Sequence, residues 1–500
     1  MEYNEALALV NKAFLENHNR SLNDLETFVF QGAWQGQTYE QIAMERGYAA
    51  GTIARDVGFK FWKLLREALG EKASHTNFRT ALERYRNRVG ELEAEPPESP
   101  ESKPGNDSMI HNEQFEGFTK IIDLIKSQRN KEIDVIAISA NNYDLFIKVD
   151  KISPEHESVI RDEPFTCAGG SGANTICGLS KLGKKTAIVG CVKNDPEGIK
   201  IFESFKDFSV DTQFLHLLSE GIKNDPAYTG YKTGRTTVLV ERFSGRRQIL
   251  VNPGINNCLS KILKANNEEL LKAAVEKIKK SKILHLSSFA GRNEMDLQLD
   301  ILNFIKTDDI VVSLTPGAIY VAEGLDQLNR ILACTNIMFL YTQQLDQLLE
   351  RSNEIKGFER HFSLKKKVDI FFEWKMRKQM THPMVLVIKD YSKDKSNNIY
   401  KNQINIASNF DNYVSFLRHP IKKFNRQDKT LISEDTTGTG DALAAGFLYG
   451  ILEGEEIETC ADFGFITSRE VSQQLGARSN LPDQDLLRAI VNEAQPNFSS

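Results

Sequence analysis

The stretch Asp435-Thr436-Thr437-Gly438-Thr439-Gly440-Asp441 runs straight into the apolar helical pattern Ala442-Leu443-Ala444-Ala445-Gly446-Phe447-Leu448. Gly438 and Gly440 let the backbone turn sharply and aim successive N–H groups one way, and the helix that follows adds the positive end of its dipole. The segment reads as an anion cradle. Asp441, at its mouth, has two readings. It is a helix N-cap, a common use of aspartate, or a general base that takes a proton from an alcohol beside bound negative charge. The two are compatible, since a base can also begin a helix.

Five hundred residues, 40% hydrophobic and 26% charged, can bury a sizeable core. A net charge of −5 gives no whole-chain attraction to nucleic acid or anionic lipid, so any such contact has to come from a local patch. No apolar run reaches the length of a membrane span, and Met1-Glu2-Tyr3-Asn4-Glu5 lacks a basic n-region and apolar h-region, so a cytoplasmic protein without membrane contact is expected. Cys167, Cys177, Cys191, Cys258, Cys334 and Cys460 form no Cys-x-x-Cys pair and read as reduced core residues.

Residues 1–89 read as a separate all-helical domain. Thr38 with Gln41 three places on is a capping box, Gly47 a helix-ending glycine, and a second helix begins near Thr52. In that helix Ile53, Val57, Phe61, Leu64 and Ala68 fall on one side, with Arg55, Lys63 and Arg66 left as candidate contacts to DNA or to a protein partner. Residues 90–110 are acidic and proline-rich without apolar period, and are expected to be a disordered linker. Residues 111–500 then form the second domain, entered by a helix near 113–128 whose stripe is Phe118, Ile121, Ile122 and Ile125.

Ile133 to Ser139 is a buried-strand pattern, followed by Asn141-Asn142-Tyr143-Asp144. Gly169-Gly170-Ser171-Gly172-Ala173-Asn174 opens a helix ending at Leu182-Gly183, and the strand Lys185–Gly190 follows. Residues 234–251 alternate at period two around a Ser-Gly turn and read as a β-hairpin. Strand and helix patterns then alternate: 283–286, 294–305, 310–314, 322–332, 336–340 and 385–388. Alternation of that kind predicts a mainly parallel sheet with helices on both faces and a ligand site at the strands' C-terminal ends.

Asp-Thr-Thr-Gly-Thr-Gly-Asp closely resembles the C-terminal signature of the ribokinase-like (PfkB) carbohydrate kinases, and the 169–198 stretch resembles their N-terminal signature. The resemblance spans roughly residues 131 to 485. It implies an α/β, ribokinase-like fold with a small β lid at about 142–168 and 226–252. It implies ATP-dependent, Mg²⁺-assisted phosphoryl transfer to a hydroxyl of a sugar or nucleoside. Gly438, Thr439 and Gly440 would be the anion hole and Asp441 the base. Asn142, Asp144 and Asn174 would hold the acceptor, and Gly169 and Gly170 would be the lid hinge. Asp435 and Thr437 would lie by the phosphates or a monovalent cation. Where the family carries Asn-x-x-Glu to organise Mg²⁺, this chain has Tyr341 and Gln344, and Lys389-Asp390-Tyr391 replaces a glycine-bearing nucleotide turn. These departures leave a second expectation open, a catalytically impaired sugar or nucleoside sensor acting as a transcriptional regulator. Residues 350–383 look inserted or diverged. The Gly36 to Ala43 pattern resembles N-terminal helix-turn-helix modules fused to effector domains in bacterial, especially cyanobacterial, multidomain proteins. Neither the acceptor nor the oligomeric state is legible, and a homodimer stays open.

Overall fold

The computed structural model describes residues 3–18, 22, 24–45, 57–69, 73–74, 77–93, 115–152, 160, 162–219, 228, 230–241, 247–305, 309–394, 399–410, 413–419 and 437–494. The chain divides into two compact units. The linker expectation falls mostly outside the described residues, although the helix Phe78–Glu93 runs past its expected start.

The first unit is built from helices Tyr3–His18, Asp24–Trp34, Tyr39–Glu45, Phe59–Leu69 and Phe78–Glu93 around one apolar cluster. The predicted capping box is present: the Thr38 N–H donates to Gln41 Oε1 at 2.8 Å and the Gln41 N–H to Thr38 Oγ1 at 3.4 Å. The seam of Phe59–Leu69 differs from the expected one. Phe61 and Ala68 are buried, but Trp62, Leu65 and Leu69 complete the seam while Val57 and Leu64 stay half-buried. An indole removes more apolar area from water than a valine or leucine, and Trp62 also donates from Nε1 to Tyr39 Oη at 2.8 Å. Lys63 and Arg66 are exposed, with Arg66 Nε donating to the Trp62 carbonyl; Ile53 and Arg55 lie outside the described residues.

Among the described residues after the first unit's helices there are thirteen strands: β1 (Ile133–Ile138), β2 (Asn142–Val149), β3 (Phe165–Gly169), β4 (Thr186–Lys193), β5 (Asp211–Leu218), β6 (Gly234–Glu241), β7 (Arg247–Asn252), β8 (Ser281–Ser287), β9 (Val311–Thr315), β10 (Ile337–Tyr341), β11 (Met384–Asp394), β12 (Ile399–Phe410) and β13 (Tyr413–His419). Nine form one sheet in the order β13-β12-β11-β10-β9-β8-β1-β4-β5. Pairings from β5 through β11 are parallel, and β12–β13 is antiparallel. β3-β2-β6-β7 form a separate small sheet, in which β6 and β7 are the antiparallel hairpin expected from their alternation.

Side chains alternate across the main sheet. From β1, Val135 and Ala137 join a core with helices Glu116–Ser127, Ser171–Lys181, Thr439–Glu453 and Ile457–Val471. Ile136 and Ile138 face the other layer, built on Leu259–Lys279, Arg292–Phe304 and Leu364–Arg377. Chain order reverses beside β1, with β4 and β5 on one side and β8 to β11 on the other. That reversal opens a crevice at the strands' carboxyl ends.

One sequence expectation changes: the helix expected at 322–332 is two, Gly317–Glu323 and Leu325–Leu332, broken at Gly324. The segment 350–383, expected to be inserted or diverged, contains Leu364–Arg377, whose Phe371, Phe372 and Trp374 are fully buried in the main core. Trp374→Ala should therefore cost about 3–5 kcal/mol, read as a lower midpoint of denaturant unfolding; an unchanged midpoint would return this segment to the surface.

Candidate active site

Gly438 is the N-cap of Thr439–Glu453, with φ +77°. A Cβ there would lie 2.2 Å from the Ala477 Cβ, so both conformation and space require glycine. At Gly440 a Cβ would stand 2.9 Å from Tyr341 Oη, which itself lies 3.4 Å from Thr439 Oγ1. The first intrahelical bond runs from the Ala442 N–H to the Gly438 carbonyl at 2.8 Å. The amides of Thr439, Gly440 and Asp441 precede it, and they have no partner within the helix. Thr437 accepts from Arg247 Nη1 at 3.1 Å, while Asp435 lies outside the described residues.

Asp441 is not the N-cap, a place taken by Gly438; it stands in the first turn. Its Oδ1 accepts from Ser171 Oγ at 2.7 Å and its Oδ2 from Asn174 Nδ2 at 2.9 Å. Burial raises this carboxyl to about 6. It does so against the Ser171 and Asn174 hydrogen bonds and the charges of Arg247 and Arg478, all of which favour the ionised form.

On the β1 side, Asp144 is buried on β2 and faces the backbone of Gly169 on β3, where a Cβ would meet its Oδ2 at 2.0 Å. Gly170, with φ +107°, passes against the Ala140 carbonyl. Asn142 Oδ1 accepts from Asn256 Nδ2 at 3.0 Å, and Asn256 also bonds the Asn141 backbone in both directions. Asn174, expected as an acceptor contact, is 5% exposed and has its amide engaged by Asp441 and by Arg478 Nε. The structure thus brings Asn174 and Asp441 together, and Asp144 and Gly169. Ser171, Arg247, Asn256 and Arg478 join the site without having been expected there: Ser171 lies within the Gly169 to Asn174 motif, whereas Arg247, Asn256 and Arg478 gain their places only through chain folding.

A family model described as pfkB family carbohydrate kinase matches residues 132–367 and 430–484, over half of the chain. The chain belongs to the pfkB carbohydrate kinase family. A second model, described as vWA-MoxR associated protein N-terminal HTH, matches residues 1–85. The chain is 26% identical over 305 residues to an uncharacterized sugar kinase of Archaeoglobus fulgidus, covering 61% of this chain and 98% of that protein. Its fold is shared with the nucleoside kinase of Methanocaldococcus jannaschii, at TM-score 0.52, 18% identity, and 73% and 99% coverage. It is shared equally with Arabidopsis thaliana ribokinase, solved with ribose and ATP, at TM-score 0.52, 19% identity, and 73% and 99% coverage. The second unit is accordingly a ribokinase-like α/β kinase fold.

Against the pfkB pattern, Gln344 caps its own helix: its Oε1 accepts from the Tyr341 N–H at 2.9 Å. Among the described residues no group of three or more His, Cys, Asp or Glu is placed to hold a metal. At the position where the family carries a carboxylate for Mg²⁺, Gln344 offers a neutral amide already engaged in its own helix, and the monovalent-cation expectation rests on Asp435, outside the described residues. In place of a glycine turn, β11 continues through Lys389, which is buried and donates to Ser468 Oγ at 2.5 Å.

The raised Asp441 pKa fixes a stability signature. The folded carboxyl holds its proton to about pH 6, whereas an unfolded aspartate loses it near about 4. Stability therefore falls between these values relative to Asp441→Asn, and the two profiles run parallel above them. Thermal unfolding from pH 4 to 8 checks this, and parallel profiles throughout would place Asp441 in an ordinary environment.

Proposed function

We propose that this protein transfers the γ-phosphoryl group of ATP to a hydroxyl of a sugar or nucleoside, with Asp441 as the general base. One observation carries the reading: a carboxylate whose pKa is raised to about 6 stands in the first turn of a helix opened by Gly438 in the left-handed conformation, held there by Ser171 and Asn174. Gly438, Thr439 and Gly440 present those amides to the phosphate, and Thr437 and Arg247 add a hydroxyl and a cation beside them. A base of this pKa is ionised at neutral pH yet basic enough to take a hydroxyl proton as the oxygen attacks. The new P–O bond forms as the bond to the β-phosphate oxygen breaks and ADP leaves. Asp144 and Asn142 orient the acceptor by accepting from and donating to its hydroxyls. The small sheet β3-β2-β6-β7, hinged at Gly169 and Gly170, closes over it and keeps water from the phosphoryl group.

Asp441→Asn should reduce turnover by at least about 1,000-fold while acceptor affinity changes little, measured as ADP release across a panel of sugars and nucleosides. For the native protein kcat/KM should fall as pH drops through about 6, because protonation removes the base. Undiminished turnover in the variant would remove Asp441 from the role. The Tyr341–Gln344 pair favours a second reading, the sensor: a ligand would then raise thermal stability while no phosphorylated product forms.

For the N-terminal helix-turn-helix, the exposed Lys63 and Arg66 support contact with nucleic-acid phosphates, a protein surface being the alternative. The full chain should bind duplex DNA with affinity falling steeply with salt. Lys63→Ala with Arg66→Ala should lower the log–log slope by about 2. No binding at low salt would leave only a protein partner.

A further inference from the structure

Arg478 is almost fully buried, yet every part of its guanidinium is engaged. Nε donates to Asn174 Oδ1 at 2.9 Å, Nη1 to Ser204 Oγ at 3.0 Å, and Nη2 to the Gly169 carbonyl at 3.1 Å. The plane also packs 5.1 Å from the Phe205 ring centroid. Its neighbours join the same three regions. A Cβ on Gly476 would lie 3.1 Å from Phe165 and 3.2 Å from Cys167 Sγ, both on β3, and Ala477 packs against Gly438 of the anion loop. Three consecutive residues thus touch the small sheet, the phosphate cradle and the residue that bonds the proposed base.

We propose that Arg478 is a positioning residue: by fixing which way the Asn174 amide points, it holds the Asp441 carboxylate in place and ties that placement to the hinge at Gly169. The inference rests on reading Asp441 as the base. An arginine only donates and an ionised carboxylate only accepts, so an amide between them has one satisfied orientation, Oδ1 toward Arg478 and Nδ2 toward Asp441. The reverse sets N–H against N–H at one end and oxygen against oxygen at the other. Without Arg478 that constraint goes, and the amide is free to turn its oxygen toward Asp441. The charge matters separately. The cations acting on Asp441 are Arg247 from β7 and Arg478; helix Ser171–Lys181 brings only the neutral Ser171 and Asn174 to the carboxyl, with Thr175 Oγ1 on its backbone carbonyl.

Full-length protein carrying Arg478→Met, Arg478→Lys or Asn174→Ala decides the matter. Asp441 is titrated without substrate, by the pH dependence of unfolding in each background relative to the same protein with Asp441→Asn. Arg478→Met should move the Asp441 midpoint up by about 0.5–1 pH unit and lower kcat roughly 10- to 100-fold, with acceptor KM nearly unchanged and the acidic limb of the rate profile moving with the midpoint. Arg478→Lys should keep the midpoint but recover only part of kcat, because a single ammonium cannot serve three acceptors at once. Asn174→Ala removes the amide through which Arg478 acts, without adding a charge; it should raise the midpoint too, and it decides the question if Arg478→Met does not fold. A midpoint unmoved in both, or native kcat in Arg478→Met, would overturn the proposal. Absence of turnover in the native chain with every acceptor would instead sink the kinase reading, and the titration would still answer for Arg478.

Discussion

A carboxylate drawn partly out of water beside backbone amides that have no helical partner is the constraint on which this molecule depends. Each half of that arrangement is unfavourable alone. Opening amides of a helix need an acceptor, and a buried carboxylate forfeits hydration that a few hydrogen bonds only partly replace. At Asp441 the second cost is the larger: two donors and two arginines favour the ionised form, and the pKa still rises to about 6. Hydrogen bonds to charged groups contribute about 1.5–3 kcal/mol each, so the opposing desolvation exceeds a substantial sum. The fold holds this group in place through packing elsewhere, as expected where a residue is kept for chemistry.

Packing is what makes the approach close enough. Ser171 and Asn174 are three residues apart in one helix and share a face, so both reach the same carboxylate, while Thr175 reaches the Asp441 carbonyl. For these short side chains to span the gap, the two helices have to come together, and small residues permit it. Gly178 lies against Ala445, where a Cβ would stand 2.8 Å from the alanine's own. On the other side of Thr439–Glu453, Gly446 lets the Phe463 carbonyl come within 2.3 Å of where a Cβ would be. A side chain at Gly178 would part these two helices and draw Asp441 away from Ser171 and Asn174. The glycines inside these helices, unfavourable by propensity, are thereby accounted for by the site.

The sequence announces those parts of the architecture that backbone conformation or periodicity dictates. Gly438 and Gly170 need positive φ, and the apolar runs of β1, β8, β9 and β10 are buried on both faces, so the loops and the sheet were legible. Other parts were silent for physical reasons. In β12, Asn405, Ser408 and Asn409 are buried polar residues that break the apolar alternation expected of a strand. The seam of Phe59–Leu69 shifted because one indole outweighed two aliphatic positions. Asp441 moved from N-cap to first turn because a glycine can start a helix by conformation alone. Arg478, Arg247 and Asn256 carry no local signal at all: an arginine in Gly476-Ala477-Arg478 reads as solvated surface until the chain folds it against Asn174.

The nucleotide side follows from the same electrostatics. The proposed phosphoryl transfer needs positive potential at the transferred group, and the described residues can supply part of it. Gln344 is occupied in capping its own helix, and Tyr341 closes the gap beneath Gly440. Among the described residues the contributors are the amide turn of Gly438 to Asp441 with its helix dipole, Arg247 on Thr437, and Arg478 behind Asn174. Arg247 sits on an edge strand of the small sheet, so its charge meets the anion loop only while that strand lies over it. In the proposed phosphoryl transfer an arginine carried on the small sheet adds its charge at the anion loop, and in a site cleared of water that charge counts for more.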